Sequence, residues 1–161
     1  MPQPASTKLY GLPACLDGKC TESAYVRWLR RKAQAHVIRD RKRFGQESCI
    51  GAMYRQLIHQ AVQNGGDRDY YTGQALDWSL ISTYDNEESK AGRDVYLRTF
   101  ANLPTVDHVI AEDGTVRFVI CSWRVNDCKT HLSEDEFHSL CEQVLEHRAR
   151  RHEKQGAISH S

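Results

Sequence analysis

Apolar residues recur at helical spacing in three parts of this chain and gather into dense, β-prone runs in one. Tyr25, Trp28, Leu29, Val37 and Ile38 supply one face of a helix that Thr21-Glu22 opens, that runs to about Arg43 and that Phe44-Gly45 ends. The most regular stripe is Ile50, Met53, Tyr54, Leu57, Ile58, Ala61 and Val62, at the i, i+3, i+4 spacing of a buried helix face. Ser48 is placed to cap that helix and Asn64-Gly65-Gly66 to stop it. Residues 105–110 and 116–121 are β-prone, and Asp113-Gly114 between them supplies a hairpin turn. A short helix is expected at about 124–131. Ser133 and Glu136 then form a capping box, and Phe137, Leu140, Cys141, Val144 and Leu145 make the stripe of a last helix to about Arg151. Residues 1–20, with Pro2, Pro4, Gly11, Pro13 and Gly18, show no apolar period, and 67–102 is mixed, with a loop or helix start at Asp85-Asn86-Glu87-Glu88. The tail to Ser161 is expected to fray.

The pattern predicts an α+β protein, mainly helical with one hairpin. At 161 residues it fits one domain, or one core with a helical extension, large enough to bury a core without disulfide support. No run of 18 apolar residues occurs, which argues against a membrane span. The first residues lack a basic stretch followed by an apolar one, so a cytoplasmic location is expected, with the six cysteines (15, 20, 49, 121, 128 and 141) reduced.

Charge separates along the chain although the net is only +1. Residues 26–45 hold eight Lys/Arg against one Asp, whereas 67–113 hold four against ten Asp/Glu. A basic arm beside an acidic segment suits a protein that grips a polyanion at one place and holds a cation at another; two solvated faces that neutralise each other are the plain alternative. Tyr25 and Trp28 either stack on bases or, as their spacing favours, enter the core. His36 and His59 fall on helix faces and receive no role.

Chemistry concentrates in 104–137. The first strand carries Asp107-His108, the short helix Asn126-Asp-Cys-Lys129, and Leu132-Ser-Glu-Asp-Glu136-Phe137 follows. Upstream stands Tyr71-Thr72-Gly73. This arrangement resembles the HNH, or ββα-metal, nucleases over about residues 69–145, with 1–66 outside the resemblance. It implies a helical chain with a ββα-metal hairpin-helix module: an irregular segment 1–20, a basic helical region 21–66, the nuclease-like module 67–152 and a tail 153–161. It further implies a metal-dependent endonuclease that hydrolyses DNA phosphodiester bonds. His108 titrates nearest neutrality and would be the general base. Asp107 and Asn126 offer one anionic and one neutral oxygen to Mg²⁺, Mn²⁺ or another divalent ion. Lys129, one turn after Asn126, would assist at the phosphate. Arg27, Arg30, Arg31, Lys32, Arg39, Arg41, Lys42 and Arg43 would grip duplex DNA through its phosphates, with Arg124 beside the site. A homodimer would allow both strands to be cut.

The chain departs from that family twice. The positions of the two Cys-x-x-Cys zinc knuckles hold Asp69 and Thr72, then Ser122 and Val125, and the remaining cysteine spacings do not suit a structural zinc. The central Asn is replaced near Val116 or Arg117, leaving Asp113 or a backbone carbonyl to steady His108. Adjacent strand residues also point to opposite faces, so Asp107 and His108 converge only where the strand departs from extended geometry. The alternatives are a DNA-binding module with a degenerate nuclease site, and a structural partner in a phage or mobile element.

Overall fold

The computed structural model describes residues 10–44, 50–84, 93–110 and 115–158. Its order is α1 (Glu22–Phe44), α2 (Gly51–Gly65), α3 (Arg93–Thr99), β1 (Pro104–Ile110), β2 (Val116–Ser122), α4 (Trp123–Lys129) and α5 (Glu134–Ile158). Short 3-10 turns lie at Ala14–Leu16 and Trp78–Ser82. The protein is thus mixed α and β, mostly helical, with one two-stranded antiparallel sheet. Its chain forms two compact units, Met1–Cys128 and Lys129–Ser161, so α1 and α2 share a unit with the hairpin.

The core of the first unit follows from the two helical stripes. Tyr25, Trp28, Leu29, Ala33 and Val37 of α1 are buried with Tyr54, Ile58 and Val62 of α2, and Trp28 meets Trp78 edge to face at 5.0 Å. Tyr25 and Trp28 are therefore core residues, fully enclosed rather than available to stack on bases. Tyr25 Oη lies 2.7 Å from Nδ1 of His59, which gives that histidine a structural partner.

The register of the hairpin is regular: Val106 faces Ile120, Asp107 faces Val119 and His108 faces Phe118. Strand alternation then puts Val106, His108, Phe118 and Ile120 on one face and Thr105, Asp107, Val119 and Cys121 on the other. A polar stripe of α1 engages β1 at successive turns. Trp28 Nε1 donates to the Pro104 carbonyl at 3.1 Å, Lys32 Nζ to Thr105 Oγ1 at 2.7 Å and His36 Nε2 to the Val106 carbonyl at 3.3 Å. Trp28, Lys32 and His36 stand at i, i+4 spacing and so share one face of α1, which meets three consecutive residues of β1.

Several sequence expectations shift. α4 ends at Lys129 because Thr130 adopts φ 52°, a left-handed conformation that stops a helix. α5 runs to Ile158, well past Arg151, since Glu153, Lys154 and Gln155 all favour helix. α2 begins after Ile50, whose side chain makes no cap; Ser48, Asp85-Asn86-Glu87-Glu88 and Asp113-Gly114 lie outside the described residues. The capping box forms as expected, with Ser133 N donating to Glu136 Oε2 at 2.8 Å and Glu136 N to Ser133 Oγ at 3.2 Å. Those bonds hold the Glu136 carboxyl below its ordinary pKa.

Candidate active site around the hairpin

His108 points from β1 into the face covered by α1 and α2. Its Nδ1 stands 3.6 Å from Asp40 Oδ1, and the two side chains are 8% and 1% exposed. That separation is an ion-pair contact, slightly long for a hydrogen bond. Tyr54 Oη donates to Asp40 Oδ2 at 2.8 Å. The Phe118 ring packs 5.4 Å from the His108 ring, and His36 meets it edge-on at 6.2 Å. Nε2 of His108 is buried as well. Sequence reasoning missed Asp40, the one acid inside the basic run and 68 residues away from His108. The available signal was its place on the inner stripe with Trp28, Lys32 and His36, each four residues apart.

His36 is neutral in this setting. Its Nε2 faces a carbonyl, which only accepts, so Nε2 carries the proton and Nδ1 does not. Burial first, then the positive charges of Arg39, His108 and Lys32, lower its pKa to about 3.

Asp107 looks the other way. Its Oδ2 accepts from Tyr71 Oη at 2.6 Å and its Oδ1 from the His108 backbone N–H at 2.8 Å. Asp107 and His108 are therefore placed on opposite faces of a regular strand, without the local departure that would turn both to one side. Beside Asp107, the four positions aligned with the zinc knuckles are knitted by hydrogen bonds. Asp69 accepts from the N–H groups of Tyr71 (2.8 Å), Thr72 (3.0 Å) and Ser122 (2.6 Å), and Ser122 Oγ accepts from Val125 N–H at 3.2 Å. A buried carboxylate thus ties the Tyr71-Thr72-Gly73 turn to the junction of β2 and α4.

The other expected residues are dispersed. Asn126 lies half-buried on α4. Arg124 donates to Gln74 Oε1 at 3.1 Å, and Arg117 donates to Tyr70 Oη at 3.0 Å while lying over the Tyr70 ring. Lys129 belongs to the second unit, where its Nζ donates to the Leu132 carbonyl at 2.7 Å. Along α1, Arg27, Arg30, Arg31, Arg41 and Lys42 are exposed, and at ~100° per residue they fall within about 120° of the circumference. Arg39 is exposed on the flank, and the side chain of Arg43 lies outside the described residues. Lys32 leaves this stripe: its ammonium turns to Thr105, and burial with the charges of Arg31 and Arg39 brings its pKa down to about 8. The basic stripe and the His108–Asp40 pair lie on opposite sides of the same helix.

Among the described residues no group of three His, Cys, Asp or Glu side chains is arranged to hold a metal. Asp107 and Asn126 offer one anionic and one neutral oxygen, the hard donor types that Mg²⁺ or Mn²⁺ takes together with water and phosphate. The five described cysteines form no disulfide, and no described helix is long and apolar enough to cross a membrane. No protein-family model matches the chain, and no curated protein or solved structure matches it either.

Proposed function

We propose that this chain is a metal-dependent endonuclease of the HNH type that hydrolyses DNA phosphodiester bonds. The observation that carries the reading is the buried Asp40 carboxylate against Nδ1 of His108, on a strand whose next side chain is Asp107. A buried carboxylate facing Nδ1 favours the neutral tautomer whose proton sits on that nitrogen. Nδ1 then keeps its proton toward Asp40, and Nε2 is the nitrogen that takes a proton from the attacking water. In-line attack leaves a 5′-phosphate and a 3′-hydroxyl. Asp107 and Asn126 would hold a divalent ion, which supplies Lewis-acid stabilisation of the phosphate and the leaving oxygen. Arg124 is an assisting cation by the resemblance, and the exposed stripe of α1 is the sequence-blind grip on duplex phosphates.

A second reading, a DNA-binding module with a silent site, is favoured by one observation: Nε2 of His108 is buried while both Asp107 oxygens accept hydrogen bonds from the protein. Supercoiled plasmid incubated with Mg²⁺, Mn²⁺ or EDTA separates the two. The nuclease reading expects metal-dependent nicking that His108→Ala reduces by about 10²–10⁴-fold while DNA binding persists. Salt-sensitive binding with no cutting by the wild type under any metal establishes the silent module. Undiminished cutting by His108→Ala removes His108 from the chemistry.

A further inference from the structure

A cavity of about 480 Å³ opens between the C-terminal half of α2 and the outer edge of β2, and no residue assigned to cleavage or to the duplex grip lines it. Its volume is that of a small-ligand site. Leu57, Gln60, Ala61 and Asn64 make the helical wall, at the i, i+3, i+4 and i+7 spacing of one face of α2. Leu57 and Ala61 belong to the apolar stripe of the sequence, yet they are only half-buried, because this face borders the cavity. Gln60 and Asn64 are exposed and set two carboxamides along the same wall.

The opposite wall is the edge of β2. The Val106 carbonyl faces His36, and the Ile120 carbonyl accepts from the Tyr70 N–H at 2.9 Å, so this cross-strand pair lies between ladder bonds. Ile120, and Phe118 two residues before it, therefore turn their N–H groups to the outer edge, where the cavity lies. Arg68 and Arg117 stand at the same site and are both exposed. Arg117 lies over the Tyr70 ring at 5.4 Å and donates to its Oη, while Arg68 Nη1 donates to the Gly73 carbonyl at 3.0 Å. These bonds position the two guanidinium groups at the cavity. The acid on this side, Asp69, is 2% exposed and engaged by three backbone N–H groups.

The two walls ask for different chemistry. Guanidinium groups and edge N–H groups select an anion with several acceptor oxygens, as a phosphate has. Leu57, Ala61 and the carboxamides select a flat group with apolar faces and with donors and acceptors on its rim. α2 ends at this wall with Gly65, and its last carbonyls favour a donor there, such as an exocyclic amine, over the phosphate. A sugar phosphate lacks the apolar faces, and a simple aromatic acid lacks the rim of donors. We propose that this cavity binds one nucleotide, with its phosphate at Arg117 and Arg68 and its base against the α2 wall. A free mononucleotide and an unpaired nucleotide within a strand present the same groups.

Calorimetric titration of the full chain with 5′-dAMP, deoxyadenosine and inorganic phosphate tests the assignment. Fluorescence anisotropy of a short labelled single strand, with EDTA present, tests the second source. If the free nucleotide is the ligand, 5′-dAMP binds at least ~10-fold tighter than deoxyadenosine or phosphate, because it engages both walls. Arg117→Gln and Arg68→Gln are each expected to weaken it by ~5–10-fold. Ala61→Phe, which fills the cavity and changes no charge, is expected to abolish it. Asn64→Asp, at an exposed position, is expected to weaken it by ~5–10-fold and serves where Ala61→Phe does not fold by circular dichroism. A strand that loses affinity in Ala61→Phe or Asn64→Asp, with no binding of 5′-dAMP, assigns the site to a nucleotide held in a strand. Inorganic phosphate binding as tightly as 5′-dAMP overturns the proposal in favour of a bare anion site. Nucleotide and strand binding that both ignore the cavity variants, or the absence of both, overturns it as well. None of these readouts involves DNA cleavage, so the proposal stands or falls apart from the endonuclease reading.

Discussion

The two faces of the β hairpin have similar burial and opposite chemistry. On one, His108 lies among Phe118, His36 and the Asp40 carboxylate, closed in by α1 and α2. On the other, Asp107 is held by a phenol and a backbone N–H beside a turn fastened by Asp69. Two residues adjacent in sequence thus occupy unlike environments, and the alternation of a regular strand is the cause. The imidazole receives its support from a distant helix. The carboxylate receives its support locally, from Tyr71 and from its own neighbour. Loss of support should therefore be felt through the global fold on the first face and through one hydrogen bond on the second.

The largest expected effect is at Asp40. Asp40→Ala removes the acceptor of Tyr54 and the counter-charge of His108 inside the core, and it should lower stability by about 3–5 kcal/mol in urea unfolding. Asp40→Asn keeps the shape and the Tyr54 bond and should cost less. Equal losses in the two variants would show that the charge of Asp40 is irrelevant to this face.

His36 gives the next effect, and it depends on pH. Its folded pKa, lowered to about 3, lies below the ordinary histidine value of about 6.5. The unfolded chain therefore binds the proton more readily between those values. The stability is full above pH ~6.5 and declines as pH falls toward 3, by roughly 2 kcal/mol at pH ~5. Unfolding of wild type and His36→Gln at several pH values should show a shallower acid decline in the variant. Parallel curves would place the acid sensitivity in another group.

The smallest effect belongs to the opposite face. Tyr71→Phe deletes the 2.6 Å bond to Asp107 and should cost about 1 kcal/mol, since the carboxylate keeps its backbone donor. If Asp107 binds a divalent ion, metal-dependent cutting should survive this substitution. Loss of cutting with unchanged stability would instead make the phenol part of the chemistry.

Local order was legible where neighbours in sequence settle it. Tyr54, Ile58 and Val62 of the second stripe became the buried side of α2, with Ile50 and Met53 left exposed, the β-prone runs paired as β1 and β2, and Ser133 with Glu136 closed their capping box. Helix ends were less legible: Thr130 stops α4 through a left-handed backbone that its side chain does not announce. The candidate site was legible as residue types and not as a constellation. Asp107, His108 and Asn126 were named, yet Asp40 passed as one acid among arginines and Lys32 as one more cation for DNA. Both lie on the face of α1 turned to β1, and helical periodicity alone does not say which face meets which strand.

By itself, the sequence determined the helices α1, α2, α4 and α5 and the two strands of the hairpin, because each depends on spacing along the chain. Only the tertiary structure decided that His108 meets Asp40, that Asp69 ties the Tyr71 turn to the junction of β2 and α4, and that the basic stripe of α1 faces away from the hairpin. Those contacts join residues about 50 or more positions apart, and their partners are selected by which surfaces must be buried together.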